Sequence, residues 1–192
     1  GHCCTHPMDG FWDLKREKRG TVLSATILLL ICMAVNAVSS LGTGFIFNKT
    51  ELESYSIFSV LYIALAVALW TICLWCVTTL MNGEGTGKEI LTAVGYCLLP
   101  LIFANILVML LSNTFSLEES TFLLYIDGFA YLWTGFLIFS ATAVIHQFSA
   151  SKTVLVIVLT VAVMVILVFI GLLCISLVQQ FLAFVQPVYS EL

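Results

Sequence analysis

The sequence predicts an all-α integral membrane protein, a bundle of five transmembrane helices preceded by a short interfacial N-terminal helix. Of its 192 residues, 61% are hydrophobic and only 9% are charged, whereas soluble domains carry about 25% charged residues. A soluble domain of this size has too much surface relative to its volume to hide so many apolar side chains from water. No segment shows the alternation of apolar and polar residues that membrane strands require, which leaves helices to satisfy the backbone in lipid.

Five apolar stretches are long enough to span a bilayer, because a transmembrane helix takes about 20 mostly apolar residues. These stretches comprise residues 21–47, 57–81, 90–111, 121–145 and 153–185. As a helix the last stretch would be about 50 Å long, which exceeds the hydrocarbon core of about 30 Å. We therefore expect it to tilt, to kink near Gly171 or to protrude into water. The chain divides into an N-terminal segment, residues 1–20, and a five-span membrane domain, residues 21–192.

The basic residues predict the orientation of the bundle, because lysine and arginine accumulate in cytosolic segments. With five spans, every basic residue except Lys49 falls on the side of the N-terminus. These residues are Lys15, Arg16, Lys18, Arg19, Lys88 and Lys152. The pattern predicts a cytosolic N-terminus, a C-terminus outside, and a cytosolic position for the loop 82–89, "NGEGTGKE".

The N-terminal segment "HPMDGFWDLKREKRG" combines aromatic and basic residues ahead of the first span. Met8, Phe11 and Trp12 would share one face of a helix. Aromatic rings favour the headgroup level and basic side chains favour anionic lipid. We predict an interfacial helix, although an ordinary basic flank would explain the same residues. The predicted membrane-interface anchor consists of Phe11, Trp12, Lys15, Arg16, Lys18 and Arg19.

The loop 82–89 resembles a phosphate-binding loop only superficially. Such a loop needs four residues between its first glycine and the Gly-Lys pair, followed by serine or threonine. Only three residues separate Gly83 from Gly87, and Glu89 stands at the position of the hydroxyl. The glycines instead permit positive φ angles and a tight reversal, and Asn82 and Thr86 can cap helix ends. We therefore predict a turn between two membrane helices.

A second interpretation gives this turn a binding role. Three glycines in five residues leave backbone N–H groups that can bind an anion together with a lysine. The ligand would be an anionic lipid headgroup or a carboxylate of a partner. The candidate site consists of Asn82, Gly83, Gly85, Gly87 and Lys88.

Polar residues within the spans are few. Asn36 and Asn105 lie near the middle of the first and third spans, where amides join helices by hydrogen bonds or line a cavity. Asp127 is the one carboxylate in an apolar stretch, which makes it a candidate for a solute or ion path or a hydrated residue near the outer end. His146 marks the cytosolic end of the fourth span and is expected to be an interfacial residue rather than a ligand.

Pro100 lies inside the third span and predicts a bend there. A proline frees the carbonyl four residues earlier, here that of Tyr96, and kinks the helix. The freed carbonyl needs a partner from a neighbouring helix or from water. The bend is therefore either a packing feature or part of a gate or binding cavity.

Two motifs together resemble the Yip-one domain family in its bacterial form: the N-terminal segment above, and "WCVTTLMNGEGTGKEI" followed by "GYCLLP". The later segment "DGFAYLWTGFLIFSATAVIHQFSASKT" fits the same family. The family motif and helix kink comprise Trp75, Gly95, Tyr96 and Pro100. Asn82 departs from the aspartate expected there. The resemblance implies the same five-span topology and no known catalytic activity. Eukaryotic relatives are linked to Rab GTPases, a role that we do not transfer to this chain.

The residues favour a non-enzymatic scaffold or adaptor that recruits partners or shapes the bilayer of the bacterial cytoplasmic membrane. The alternative is a component of a small-solute or ion transporter or channel, although five spans do not divide into two equal inverted repeats. We expect no cofactor, no metal and no nucleic acid, since catalytic motifs and an extended basic face are absent from the sequence. The expected partners are the lipid bilayer, anionic headgroups, an unknown membrane or cytosolic protein, and a second copy packed through small residues.

Overall fold

The computed structural model describes residues 7–16, 21–42, 52–115 and 119–190, and these residues form helices joined by short connections, without a strand. The helices are α1 Pro7–Arg16, α2 Val22–Gly42, α3 Leu52–Leu80, α4 Gly87–Cys97, α5 Leu99–Ser112, α6 Ser120–His146 and α7 Ala150–Ser190. The side chains of residues 40, 41, 52–60 and 185–190 are not described.

The five predicted spans are confirmed as helices that are long and apolar enough to cross a membrane. They are Val22–Ser39, Leu61–Leu80, Gly87–Ser112, Ser120–His146 and Ala150–Phe184. Residues 43–47, which the sequence assigned to the first span, lie outside the described residues. The helix predicted within the N-terminal segment is present as α1.

The fourth helix, α4, lies at the centre of the packing. It contacts α2, α3 and α6, and α1 reaches it as well. α5 continues from α4 between α2 and α6, and α7 lies against α3 and α6. The buried side chains of this region are small or aliphatic, including Ile90, Ala93 and Val94, so the helices approach one another closely.

The third span is broken at Leu98, as the proline predicted. α4 ends at Cys97, α5 begins at Leu99, and Pro100 stands in the first turn of α5. The N–H of Leu98 reaches back to the carbonyl of Gly95 at 3.4 Å, and the regular helical pattern resumes with Ile102 donating to Leu98. Pro100 has no N–H to donate, so the break falls where the α-helical ladder loses a bond.

The last helix, α7, is uninterrupted through Gly171 and has 41 residues, which corresponds to about 60 Å at about 1.5 Å per residue. Thr153, Val156 and Thr160 are fully buried against the bundle. From residue 165 to residue 184 the side chains are exposed. The helix is therefore not interrupted at Gly171, and the expected tilt or protrusion into water stays a prediction.

Candidate functional site

α3 and α6 end with the same backbone motif. Asn82 has a φ angle of 56° and Gln147 has a φ angle of 55°. The residue that follows each of them donates its N–H to the carbonyl five positions earlier. Gly83 donates to Thr78 at 2.8 Å, and Phe148 donates to Ala143 at 3.0 Å. This is the Schellman arrangement, in which one left-handed residue closes the helix. Asparagine adopts this conformation readily, which explains Asn82 without a need for a carboxylate.

The start of α4 is capped by its own first turn. The N–H of Thr86 donates to Oε2 of Glu89 at 2.8 Å, and the hydroxyl of Thr86 accepts from the N–H of Glu89 at 3.4 Å. Both halves of a capping box are thus present. The carboxylate of Glu89 also lies at the positive end of the helix dipole. Thr86 acts as the sequence predicted, and Glu89 supplies the anion at this helix end.

Gly83 and Gly85 are required by the position of His146. The prediction that the loop glycines supply positive φ angles is wrong, since no described glycine has one. A Cβ on Gly83 would lie 2.6 Å from Nδ1 of His146, and a Cβ on Gly85 would lie 2.5 Å from Cε1 of the same ring. Contacts this short do not occur, so the loop packs on the imidazole only because both residues lack side chains.

His146 itself is buried, with 2% of its surface exposed. Its Nδ1 accepts a hydrogen bond from the N–H of Gly85 at 3.2 Å. Its ring stacks on Phe148 with 5.4 Å between ring centroids and 22° between planes. The ring is therefore a packing and hydrogen-bonding centre between the α3–α4 turn and the end of α6, a role that its position at the end of a span did not predict.

Lys15 of α1 also contacts the end of α6 and the α3–α4 turn. Its Nζ donates to the carbonyl of Ile145 at 2.6 Å and lies 3.7 Å from Oε2 of Glu84. The carbonyl belongs to the last turn of α6, whose negative dipole end favours a cation. The ion pair with the exposed Glu84 adds little, about 0–1 kcal/mol. Lys15 thus joins three chain segments: α1, the turn and α6.

Phe11 anchors α1 to the bundle rather than to the lipid interface. Its side chain is 0% exposed and belongs to an apolar cluster with Ala93, Leu137 and Ile145. The prediction that Phe11 and Lys15 serve as membrane-interface anchors is therefore wrong, because α1 docks through the face that carries them.

The adjacent face of α1 is exposed. Met8 and Trp12 are 52% and 41% exposed, and the guanidinium of Arg16 lies 4.4 Å from the centre of a Trp12 ring. Trp12 and Arg16 keep positions compatible with the predicted anchor, whereas Lys18 and Arg19 lie outside the described residues.

We call the surface formed by α1, residues 82–89 and residues 146–152 the hairpin platform. Its exposed side chains include Trp12, Arg16, Asn82, Glu84, Thr86, Lys88 and Gln147. Two of the three glycine amides of the candidate anion site already have partners inside the protein, because Gly83 donates to Thr78 and Gly85 donates to His146. The N–H groups of Gly83 and Gly85 are therefore engaged inside the protein, and the exposed side chains are groups that this surface offers to a partner.

Comparison with known protein families adds one match. The Yip1 domain matches residues 2–173, which is nearly the whole chain. The chain belongs to the Yip1 domain family. Neither the curated proteins nor the solved structures gave a match. The family resemblance seen in the sequence is therefore confirmed, and with it the multi-pass membrane character of the protein.

The motif residues of this Yip1 domain serve packing at two helix crossings. A Cβ on Gly95 would lie 2.8 Å from Cβ and 2.9 Å from Cα of Ala25, so the glycine lets α4 cross α2 in backbone contact. The hydroxyl of Tyr96 donates to Oγ of Ser24 at 3.1 Å across the same crossing. Trp75 lies beside Gly87, where an added Cβ would meet its ring at 3.8 Å.

The intramembrane polar residues of this Yip1 domain are not gathered at the hairpin platform. Asn36 on α2, Asn105 on α5 and Asp127 on α6 are each partly buried. The backbone carbonyl of Asn105 accepts a hydrogen bond from Oγ of Ser39 at 3.4 Å. Within the described ranges, no three His, Cys, Asp or Glu side chains are grouped closely enough to hold a metal ion.

Two cavities bear on the alternative of transport. A groove of about 260 Å³ between α5 and α6 is lined by apolar side chains such as Pro100, Phe103 and Trp133. A small cavity of about 10 Å³ lies between α3, α4 and α6, at the side of the bundle that contains His146. Neither of these two cavities contains Asn36, Asn105 or Asp127.

Proposed function

We propose that this Yip1-domain protein is a non-enzymatic membrane scaffold that uses the hairpin platform to recruit a protein partner. The observation that carries this proposal is the bonding of Lys15, which reaches both the carbonyl of Ile145 and the carboxylate of Glu84. A surface whose segments are already held together loses little conformational freedom on binding, which favours recognition.

The proposal includes an orientation with the N-terminus and the hairpin platform in the cytosol of a bacterial cell. Lys15, Lys88 and Lys152 belong to this platform, although they come from three separate parts of the sequence. Nζ of Lys152 lies 4.0 Å from the centre of the Phe148 ring, which in turn stacks on His146. The clustering of these lysines at one end supports the orientation by the rule for cytosolic basic residues.

A scaffold role also fits the chemistry of the buried histidine. The partner of Nδ1 of His146 is the backbone N–H of Gly85, and a catalytic base would instead accept from the hydroxyl or thiol of a nucleophile. His146 therefore serves the shape of the platform. The exposed Trp12 and Arg16 offer an aromatic and a cationic contact, residue types that are enriched at protein interfaces.

Site-specific photo-crosslinking in cells tests the proposal. A photoreactive amino acid replaces Glu84 or Trp12, which are both exposed on the hairpin platform. We expect the same partner protein to be captured from both positions. Capture of lipid alone, or only of further copies of this chain, would contradict recruitment of a different protein.

Two control positions sharpen this experiment. Leu132 on α6 is 77% exposed but lies within a membrane span, and Phe11 is 0% exposed. The probe at Leu132 is expected to capture lipid, and the probe at Phe11 is expected to crosslink within the chain. A partner captured equally from Leu132 and Glu84 would indicate a contact inside the membrane instead of recruitment by the platform.

The alternative of transport is favoured by one observation, the break of the third span at Leu98. Discontinuous helices form the binding sites of many transporters. The groove beside this break is lined by apolar residues such as Pro100 and Trp133, however, which suits lipid better than a hydrated solute. Solute flux into liposomes that contain the purified protein distinguishes the two functions, since a scaffold gives no flux.

A further inference from the structure

Three of the residues that line the small cavity between α3, α4 and α6 have polar side-chain groups: Trp70, Thr142 and His146. Among the described residues, buried side-chain atoms without a protein hydrogen-bond partner are Nε1 of Trp70, Oγ1 of Thr134 and Nε2 of His146. Two of the three residues concerned, Trp70 and His146, line the same cavity. A buried donor without an acceptor is costly, so their joint presence in one wall points to an occupant.

The hydrogen bond at Nδ1 of His146 determines whether Nε2 donates or accepts. Nδ1 accepts from the N–H of Gly85, so it carries a lone pair and no proton. In a neutral imidazole the proton is then on Nε2, which becomes a donor. The indole nitrogen Nε1 of Trp70 is also a donor only. The two groups therefore require an occupant that accepts hydrogen bonds.

The remaining wall restricts the size and the chemistry of that occupant. The cavity volume is about 10 Å³, close to the 10–15 Å³ that a single water molecule needs, and a buried water needs about two to four polar partners. Thr142 also lines the cavity; its hydroxyl donates to the carbonyl of Ile138 at 2.8 Å, and its oxygen keeps a lone pair that can accept. Two donors and one acceptor match the bonding capacity of water.

We propose that this cavity is a binding site for one internal water molecule, which accepts from Nε2–H of His146 and from Nε1–H of Trp70. The water connects His146, which is already bonded to the α3–α4 turn, to Trp70 of α3. Through it, the turn, α6 and the middle of α3 share one polar connection inside an apolar bundle. The site is independent of the scaffold function proposed above.

Magic-angle-spinning NMR of the full chain in lipid bilayers tests this site. The chain has three histidines, and selective ¹⁵N labelling gives a spectrum in which His146→Gln identifies the signals of His146. We expect a neutral ring with its proton on Nε2, and magnetisation transfer from water protons to that nitrogen. A proton on Nδ1, or a protonated Nε2 that receives no transfer from water, overturns the proposal.

A pair of matched variants tests the second donor. Trp70→Phe keeps an aromatic ring and removes the N–H, so the water loses a partner and we expect loss of the water transfer to Nε2. Trp12→Phe makes the same chemical change at an exposed position on α1 and should leave the transfer intact. Unchanged transfer in Trp70→Phe overturns the role of Trp70. If Trp70→Phe fails to fold, the measurement on the unsubstituted chain still tests whether Nε2 of His146 is protonated and receives transfer from water.

Discussion

The backbone N–H of Gly85 donates to Nδ1 of His146 over 3.2 Å, and this bond joins the α3–α4 turn to the end of α6. The two residues are 61 positions apart in the chain. Their contact explains why a turn without positive-φ glycines still contains glycine: the turn lies on the face of a buried ring. The geometry of this pair leads directly to two predictions about stability.

Gly85→Ala is expected to lower the free energy of unfolding by about 1–3 kcal/mol, the usual cost of overpacking. The new Cβ would lie 2.5 Å from Cε1 of His146 and 2.6 Å from Cγ2 of Ile145. Gly135→Ala in α6 is the control, because a Cβ there meets nothing within 4 Å. Unfolding in detergent micelles measures both variants. Equal effects at the two positions would contradict the packing of the turn on the ring.

A double-mutant cycle with His146→Ala tests the same pair from the other side. We expect His146→Ala alone to cost about 1–3 kcal/mol, because it leaves the N–H of Gly85 without its acceptor. In that background Gly85→Ala should cost less than in the unsubstituted protein, since the ring that opposed the methyl group is gone. A coupling of about 0.5–3 kcal/mol is expected for groups in contact. Additive effects would show that the two residues act separately.

The features that the sequence predicted correctly depend on local properties. The spans follow from runs of apolar residues, the break at Leu98 follows from Pro100, and the cap at Thr86 follows from a residue type that is favoured at helix starts. Each of these signals lies within a few residues of its effect. Hydrophobicity, proline geometry and capping chemistry therefore suffice for them.

The features that the sequence did not predict depend on contacts between distant segments. Phe11 was assigned to the lipid interface because aromatic residues beside basic residues are typical there, yet it is buried between α4 and α6. His146 was assigned to the interface for its position at a span end. One signal was available: Gly83 and Gly85, two residues apart, indicate a close neighbour, but the sequence does not say which one.

Gln147→Gly is expected to stabilise the protein by about 1 kcal/mol. Gln147 has a φ angle of 55°, and the left-handed region costs a residue with a Cβ about 1–2 kcal/mol. The gain is reduced by loss of the bond from Nε2 of Gln147 to the carbonyl of Val144. Asn82→Gly is the matched change at the end of α3 and should have a smaller effect, because asparagine tolerates this conformation. Chemical denaturation measures the unfolding free energy of the two variants. Destabilisation by Gln147→Gly would contradict the cost of about 1–2 kcal/mol for the left-handed conformation of Gln147.

Phe11→Ala is expected to release α1 from the bundle. Truncation of a buried phenylalanine costs about 3–5 kcal/mol, and the loss falls on a short helix that has few other buried side chains. Trypsin cleavage after Lys15 and Arg16 should therefore become faster in this variant. Trp12→Ala, at an exposed position beside it, should leave the cleavage rate nearly unchanged. Equal acceleration in both variants would show that α1 does not depend on Phe11 for docking.

Gly95→Ala tests the crossing of α2 and α4. The added methyl group would lie 2.8 Å from Cβ, 2.9 Å from Cα and 3.0 Å from the carbonyl oxygen of Ala25. Because two of these atoms belong to the backbone, the helices must move apart, and the hydrogen bond from Tyr96 to Ser24 is expected to weaken with them. We expect a loss of about 1–3 kcal/mol in unfolding free energy, larger than for Gly128→Ala, where a Cβ meets nothing within 4 Å.

A second substitution gives this crossing a rescue test. Ala25→Gly removes the opposing Cβ at a cost of up to about 1 kcal/mol in helix propensity. In the Ala25→Gly background, Gly95→Ala should be less destabilising, although not neutral, since the Cα and the carbonyl of residue 25 remain close. If Gly95→Ala cost the same in both backgrounds, the contact between α2 and α4 would not be the reason for glycine at this position.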